Sequence, residues 1–265
     1  FRNVTGVQTC ALPICAPVLL LANSLGTTLE VWDPIMPALA ARFRVLRYDM
    51  RGHGLTDAAP LQDEARGYSI ADLAGDALAL LDALGIETIS VCGLSIGGMV
   101  AQHLAAHAPE RVERVILCDT AAVIGPPEVW NTRIAGIRKA GLPAIAPGVM
   151  ERWFTEGFRA REPHLLRGYI NMVARTSLDG YLGCAMAVRD ADLADADRSI
   201  RQPTLVIVGA DDPATPVASA EALAALIPGA QLAIIPDCSH ICCVEQPEET
   251  ARLLLDFLGK AASAG

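Results

Sequence analysis

Residues 93–97, Gly-Leu-Ser-Ile-Gly, join an apolar β-type run at 88–92 to a helical run at 99–108. Glycines on both sides of Ser95 allow the strand and the helix to approach closely, and glycine tolerates positive φ. The turn predicts a serine hydroxyl exposed at the start of a helix, where backbone N–H groups favour developing negative charge. The alternative is a glycine-rich turn with an idle serine. The strand and helix on either side favour a nucleophile in an α/β sheet.

Composition limits the kinds of protein that this chain can be. Its 265 residues are 52% hydrophobic and 19% charged, which fits one large α/β domain or one domain with an inserted cap. The net charge of −9 and the pI near 5.0 argue against nucleic acid and anionic membranes as partners. No apolar run approaches the roughly 20 residues of a membrane span. The 8 cysteines lie mostly in apolar runs, which predicts buried thiols in a reducing cytoplasm.

Residues 1–15 differ from the rest of the chain. They lack the basic start and the long apolar stretch of a signal peptide, and they show no pattern of a strand hairpin. The run 4–14 resembles translated adapter sequence. We therefore expect this segment to be non-native and assign it no part in the fold or the function.

After this segment, short β-rich runs alternate with helical patterns, which predicts a mostly parallel sheet with helices on both faces. Strands are expected at 18–22, 45–48, 89–92, 112–118, 204–208 and 231–235. Apolar residues at helical spacing predict a helix over 70–81, with Ser69 and Asp72 as a capping box and Gly85 as its end. A second amphipathic helix is expected at 248–260.

The alternation breaks between residues 126 and 199, where the pattern is helical and rich in aromatic residues, proline and glycine. We interpret this region as a helical cap inserted into a core formed by 16–125 and 200–265. Such a cap would lie over the carboxyl ends of the strands, where ligands bind in open α/β sheets. The alternative is a surface helix bundle with no part in binding. The serine turn expected beneath the region favours a cap.

A serine nucleophile needs a general base, and an acid must hold that base in the correct tautomer. The chain offers these groups in the order Ser, Asp, His. Asp212 follows the strand expected at 204–208, and His240 lies in the loop between the last strand and the last helix. Asp211 remains an alternative acid, because the end of a strand does not determine which of two adjacent aspartates faces the histidine.

The loop around His240 also contains several potential metal ligands. They are Cys238, His240, Cys242 and Cys243. Four ligands so close together in one loop do not easily form the tetrahedron that zinc prefers. We therefore expect neither a metal nor an organic cofactor.

An acyl-transfer site also needs two donors for the oxyanion of the tetrahedral intermediate. The expected donors are the backbone N–H groups of Ile96, directly after the serine, and of Leu25, in the loop after the first predicted strand. A further glycine-rich loop at 49–54 carries Arg51 and His53, to which we assign structural roles.

These residues together resemble the alpha/beta-hydrolase superfamily over 17–262, and within it the 3-oxoadipate enol-lactonases. The matching motifs are Asn-Ser-Leu-Gly-Thr at 23–27, Trp-Asp at 32–33, Asp-Met-Arg-Gly-His-Gly at 49–54, Gly-Leu-Ser-Ile-Gly-Gly at 93–98 and Ala-Met-Ala with Arg-Asp at 185–190. The resemblance implies an α/β-hydrolase fold with an inserted helical cap. It also implies hydrolysis of an enol-lactone to 3-oxoadipate in the protocatechuate branch of aromatic degradation.

The resemblance further implies roles for individual residues. Ser95 would attack the lactone carbonyl, with His240 as general base and Asp212 as the orienting acid. The substrate of these relatives carries a free carboxylate, for which Arg133 is the first candidate partner, ahead of Arg138 and Lys139. A nearby tryptophan, Trp130, would line the pocket. An arginine on the helix surface and a tryptophan in the core of the cap are the alternatives.

Other functions of the same fold remain open. A carboxylesterase, another lactonase or a cofactor-free perhydrolase would need the same triad, whereas a haloalkane dehalogenase would carry aspartate at position 95. A ligand receptor with slow turnover is a different class, and nothing in the sequence points to such a receptor. We expect a small-molecule lactone or ester as substrate, and a monomer or small homo-oligomer.

Overall fold

The computed structural model describes residues 7–9, 16–61 and 66–259. It contains a sheet of 7 strands in the order β1-β3-β2-β4-β5-β6-β7. The strands are β1 (Val7–Thr9), β2 (Val18–Ala22), β3 (Arg44–Tyr48), β4 (Ile89–Leu94), β5 (Val112–Cys118), β6 (Thr204–Gly209) and β7 (Gln231–Ile235). All neighbouring pairs from β3 to β7 are parallel. The mostly parallel sheet predicted from the alternating pattern is confirmed.

The edge strand β1 corrects the expectation that residues 1–15 contribute nothing to the fold. Val7–Thr9 pairs antiparallel with β3, and its first residue lies opposite Tyr48. A strand this short has too few residues for a recognisable alternation, and its pairing partner becomes apparent only in the sheet. Residues 1–6 and 10–15 lie outside the described part of the chain. The non-native origin of the segment stays a prediction.

Helices cover the sheet and connect its strands. In the core they are α1 (Met36–Ala40), α2 (Ile70–Ala83), α3 (Ile96–His107), α9 (Ala194–Asp197), α10 (Val217–Leu226), α11 (Cys242–Glu245) and α12 (Pro247–Leu258), with short 3-10 helices at Leu29–Ile35 and Pro109–Arg111. The predicted capping box is present: Ser69 Oγ accepts from the Asp72 N–H at 3.1 Å, and Asp72 Oδ2 accepts from the Ser69 N–H at 2.8 Å. Gly85 follows the helix with φ of 63°, a conformation that favours glycine.

The hydrophobic core lies on both faces of the sheet. Strands β4 and β6 are buried along their whole length, as expected for central strands of a parallel sheet with two covered faces. The cysteines of the described residues are free and buried, as their apolar surroundings predict; they are Cys92, Cys118, Cys184, Cys238, Cys242 and Cys243.

None of the helices in the described ranges is both long and apolar enough to cross a membrane.

Between β5 and β6 the chain forms a run of helices, which we call the helical insertion. It consists of α4 (Pro127–Ala140), α5 (Leu142–Trp153), α6 (Glu156–Arg161), α7 (Pro163–Arg175) and α8 (Leu178–Asp190). Its interior is aromatic: the rings of Phe154 and Phe158 stack with centroids 4.7 Å apart, and Tyr169 lies 5.2 Å from Phe154. The helical pattern predicted for 126–199 is confirmed, but its last helix, α9, packs on α3 and α10 of the core. The separation of the region as a cap domain stays our interpretation.

Candidate active site

Ser95 occupies the sharp turn between β4 and α3. Its φ and ψ are 57° and −118°, a backbone conformation that non-glycine residues seldom adopt. Hydrogen bonds hold the turn in this conformation: the Ser95 N–H donates to the carbonyl of Cys118 at 2.9 Å, and Thr120 Oγ1 donates to the Ser95 carbonyl at 2.7 Å. The end of β5 and the loop directly after it therefore hold the strained serine in place.

Three glycines make this turn sterically possible. A Cβ atom on Gly93 would lie 2.1 Å from the carbonyl oxygen of Gly97, and one on Gly97 would lie 2.2 Å from that of Ala22. A Cβ on Gly98 would lie 2.5 Å from Thr120 Cγ2. Contacts this short are repulsive, and two of them involve backbone atoms that cannot rotate away. The glycines predicted from the motif are thus required by the packing of α3 against β2, β4 and the loop after β5.

Asp212 and His240 form a buried pair. The Oδ2 atom of Asp212 lies 2.8 Å from Nδ1 of His240, and Thr215 Oγ1 donates to the same oxygen at 2.6 Å. Its other oxygen accepts from the backbone N–H groups of Ala214 at 2.7 Å and Thr215 at 3.1 Å. Asp211, the alternative acid, is exposed. The contact with the imidazole is therefore made by Asp212.

Burial and charge act in opposite directions on this pair. Burial disfavours a charged His240, but the adjacent Asp212 carboxylate outweighs burial and raises the pKa of the imidazole. Burial likewise opposes the charge of Asp212, yet His240 and the hydrogen bonds from Thr215 lower the pKa of that carboxyl overall. The pair thus consists of a carboxylate and an imidazole that readily accepts a proton.

Ser95 and His240 line one cavity of about 670 Å³. The loop after β2 contributes Ser24 and Leu25 to the same wall. Ile96 is the first residue of α3, so its N–H has no acceptor within the helix. The structure therefore brings the predicted nucleophile, base and Leu25 loop to a single space, with Ile96 directly next to the nucleophile.

Buried polar side chains hold the Leu25 loop. His53 Nε2 accepts from the Gly26 N–H at 3.0 Å, and its Nδ1 lies 3.1 Å from the carbonyl oxygen of Arg51. Burial lowers the pKa of His53 to about 4, so this imidazole is neutral and carries its proton on Nδ1. Asn23 bonds to the Tyr48 carbonyl and the Trp32 indole, both at 2.8 Å. His53 thus has a structural contact, and sequence reasoning missed the role of Asn23.

Residues of the helical insertion line the same cavity. Trp130 and Arg133 of α4 line the cavity, and the guanidinium carbon of Arg133 lies 5.1 Å from the centre of the Trp130 ring. Arg133 Nη2 also donates to the hydroxyl of Tyr181. Arg138 and Lys139, the other candidate cations, are exposed in the last turn of α4 and do not line the cavity.

Sequence reasoning missed a second arginine at the cavity. Arg152 lies in the last turn of α5 and lines the same space as Arg133. Burial and the charge of Arg133 both lower the pKa of Arg152. Its approach to α4 depends on how the two helices pack, and no sequence motif carries that information.

Within the part of the chain that the structure describes, no group of three or more His, Cys, Asp or Glu side chains is arranged to hold a metal ion. The loop cysteines near His240 are buried, and the imidazole Nδ1 contacts Asp212.

Comparison with known proteins agrees with this architecture. The family model described as alpha/beta hydrolase fold matches residues 17–247. The 3-oxoadipate enol-lactonase 2 of Acinetobacter baylyi is 39% identical over 232 residues, which cover 88% of this chain and 85% of that protein. The 3-oxoadipate enol-lactonase 1 of the same organism is 33% identical over 246 residues, covering 93% and 90%.

A solved structure, the enol-lactonase from Burkholderia xenovorans, superimposes with a TM-score of 0.91 at 40% identity and covers 96% of both chains. The chain belongs to the alpha/beta hydrolase family and is a hydrolase. Within that family it resembles the 3-oxoadipate enol-lactonases, as the sequence motifs predict.

Proposed function

We propose that the protein hydrolyses 3-oxoadipate enol-lactone to 3-oxoadipate through an acyl-enzyme intermediate, within the protocatechuate branch of aromatic catabolism. The observation that carries this proposal is one cavity lined by Ser95, His240 and the cationic Arg133. The similarity to two curated enol-lactonases supports the choice of substrate. The cytoplasmic location and the monomeric or small oligomeric state remain predictions from the sequence.

In the acylation step, Ser95 Oγ attacks the lactone carbonyl while His240 Nε2 accepts the hydroxyl proton. Asp212 holds the Nδ1 proton of the imidazole and stabilises the imidazolium that forms. The backbone N–H groups of Leu25 and Ile96 donate to the oxyanion. The ring C–O bond then breaks, and the alkenyl oxygen leaves as an enolate that His240 protonates. The enol converts to the ketone, which makes ring opening effectively irreversible.

In the deacylation step, His240 takes a proton from water, and the resulting hydroxide attacks the acyl-enzyme. The second tetrahedral intermediate uses the same two backbone donors. When it collapses, the C–O bond to Ser95 breaks and His240 returns the proton to the serine oxygen. Water thus supplies the hydroxyl of the new carboxylic acid, and no redox or metal step is required.

The substrate carboxylate would be held by Arg133. Its guanidinium stacks near Trp130, and in the described residues no acidic side chain lies within ion-pair distance of it. A carboxylate entering this cavity would lose hydration. The planar guanidinium of Arg133 can compensate for that loss by donating hydrogen bonds to the carboxylate.

The test measures hydrolysis of freshly generated 3-oxoadipate enol-lactone through the loss of its ultraviolet absorbance. Hydrolysis of p-nitrophenyl acetate is measured in parallel. We expect a kcat/KM for the lactone far above that for the ester, and a loss of at least about 10⁴-fold in Ser95→Ala. Circular dichroism of the variant controls for folding. Serine-dependent ester cleavage without a lactone preference would reduce the proposal to a carboxylesterase or lactonase of another substrate. An unaffected Ser95→Ala variant would exclude the mechanism.

A further inference from the structure

A second buried carboxylate lies beside the Asp212–His240 pair and has no role in the steps above. Asp119 directly follows β5, is 0% exposed and has a positive φ of 46°. Its Oδ1 accepts from the Gly209 N–H at 2.9 Å, and its Oδ2 accepts from the Cys242 N–H at 3.3 Å. An aspartate held at positive φ in a fully buried position requires stabilising contacts, and these two bonds supply them.

The two backbone partners of Asp119 connect it to both members of the pair. Gly209 is the last residue of β6, three residues before Asp212, and Cys242 lies two residues after His240. One carboxylate therefore joins the loop that presents the acid to the loop that presents the base. The Asp119 N–H completes this connection by donating to the Ile207 carbonyl in β6 at 2.9 Å.

The charge of Asp119 also acts on the imidazole. Burial, followed by repulsion from Asp212, raises the pKa of Asp119 to about 7. The Asp119 carboxylate in turn adds to the effects that raise the pKa of His240, whereas Arg133 on the helical insertion lowers it. Two carboxylates thus act on the charge of one imidazole: Asp212 in direct contact, and Asp119 from between the two loops.

The other titratable groups facing Asp119 are thiols. Burial and the contacts among these thiols keep their pKa values above the usual range, so they are neutral near pH 7. They are Cys92, Cys118, Cys238, Cys242 and Cys243. The thiols therefore contribute no charge to this pocket near pH 7, where Asp119, Asp212 and His240 are the charged or titrating groups.

We propose that Asp119 is a positioning residue for the hydrolytic reaction: it holds the Asp212 and His240 loops together and supplies a second negative charge that favours the imidazolium. The inference rests on the proposed function, in which His240 becomes cationic in both steps. A preorganised charge near a developing cation stabilises the transition state because no solvent has to reorganise.

The decisive variant is Asp119→Asn, which keeps the shape and one acceptor but removes the charge. Asp197→Asn is the matched control, because Asp197 is also a 0% exposed carboxylate whose pKa burial raises to about 7. Its charged neighbours are Asp192 and Arg198. The imidazole of His240 is titrated by NMR with ¹³C-labelled histidine, and His240→Gln identifies its signal.

We expect Asp119→Asn to lower the pKa of His240 by on the order of one pH unit and to shift the acid limb of kcat/KM to lower pH by the same amount. At neutral pH, kcat should fall roughly tenfold. Asp197→Asn should leave the His240 titration and the pH profile unchanged. If Asp119→Asn lowers the melting temperature and kcat but leaves the titration unchanged, Asp119 is structural only and the proposal is wrong. Equal shifts in both variants would also overturn it.

Should Asp119→Asn fail to fold, the wild-type titration decides. Coupling predicts that the His240 signal of the wild type moves in two steps, whereas a single step of unit slope would overturn the proposal. The titration needs no substrate, so it separates this inference from the proposed function. If the wild type hydrolyses neither the lactone nor the ester, the proposed function is wrong. The titration then still measures the effect of Asp119 on His240.

Discussion

The core loops and the helical insertion face each other across one cavity, but different forces hold their functional groups. On the core side, Ser95 and Asp212 are each tied to the backbone of a neighbouring strand or loop, and His240 is held by the Asp212 carboxylate. All three side chains are nearly inaccessible. On the insertion side, Arg133 is held by aromatic stacking and one tyrosine hydroxyl.

In the proposed function, the core loops carry out bond breaking and proton transfer, and the helical insertion binds the substrate. Backbone hydrogen bonds and glycine contacts fix atom positions tightly, which proton transfer requires. A stacked guanidinium group tolerates more variation in its position. It also lies on a helix whose packing depends on side chains. We therefore expect changes in the core loops to affect kcat strongly, and changes in the insertion to affect KM.

The largest contrast is expected between two adjacent aspartates of the core. Asp212→Asn should lower kcat by about 10⁴-fold, because the amide favours the wrong tautomer of His240. Asp211→Asn is the matched control and should change kcat by less than about twofold, since the Asp211 side chain is exposed. Steady-state kinetics of both variants at one pH provide the measurement. A collapse confined to Asp211→Asn would transfer the orienting role to that residue.

Substitution of Arg133 in the helical insertion should change KM. Arg133→Ala should raise KM for a lactone that carries a carboxylate by roughly 10- to 100-fold, while kcat/KM for p-nitrophenyl acetate changes little. Arg138→Ala, an exposed arginine in the last turn of the same helix, should leave both substrates unaffected. Equal losses on the charged and the neutral substrate would mean that Arg133 supports the fold of the insertion and does not bind the carboxylate.

The smallest expected effects come from replacing one glycine in each region with alanine. Gly97→Ala should lower the free energy of unfolding by about 1–3 kcal/mol and reduce activity, because the new Cβ meets the backbone of Ala22 at 2.2 Å. Gly168→Ala, in α7 of the insertion, has nothing within 4 Å of its added Cβ and should stabilise the protein by about 0.5–1 kcal/mol. Urea denaturation measures both. A stable, active Gly97→Ala variant would show that the serine turn tolerates more backbone movement than the contacts indicate.

Some elements of this fold are readable in the sequence because their signals are local. The strands from β2 to β7 were predicted to within two residues at either end, since each is a short apolar run bounded by turns. Ser69 and Asp72 follow a capping rule that involves only four consecutive residues. The short strand β1 was missed, because its evidence is a ladder with β3 and not a pattern of its own.

The residues of the candidate site also differ in whether local sequence predicts them. Ser95 stands out because strand, glycines and helix adjoin it in the chain, and His240 because of its loop. The choice between Asp211 and Asp212 depends on the direction in which a turn projects a side chain. Arg152 and Asp119 could not be found by motif, since their neighbours at the site come from other elements.

The sequence by itself determined the strand–turn–helix unit of Ser95, the order of the triad candidates and the helical character of the insertion. These features depend on residues close together along the chain, where sterics and hydrogen bonding act over a few positions. Only the tertiary structure decided that Asp212 contacts His240, that two arginines share the cavity, and that Asp119 joins the loops that carry Asp212 and His240. Each of these contacts joins residues from different elements, so it exists only once the sheet order and the helix packing bring those elements together.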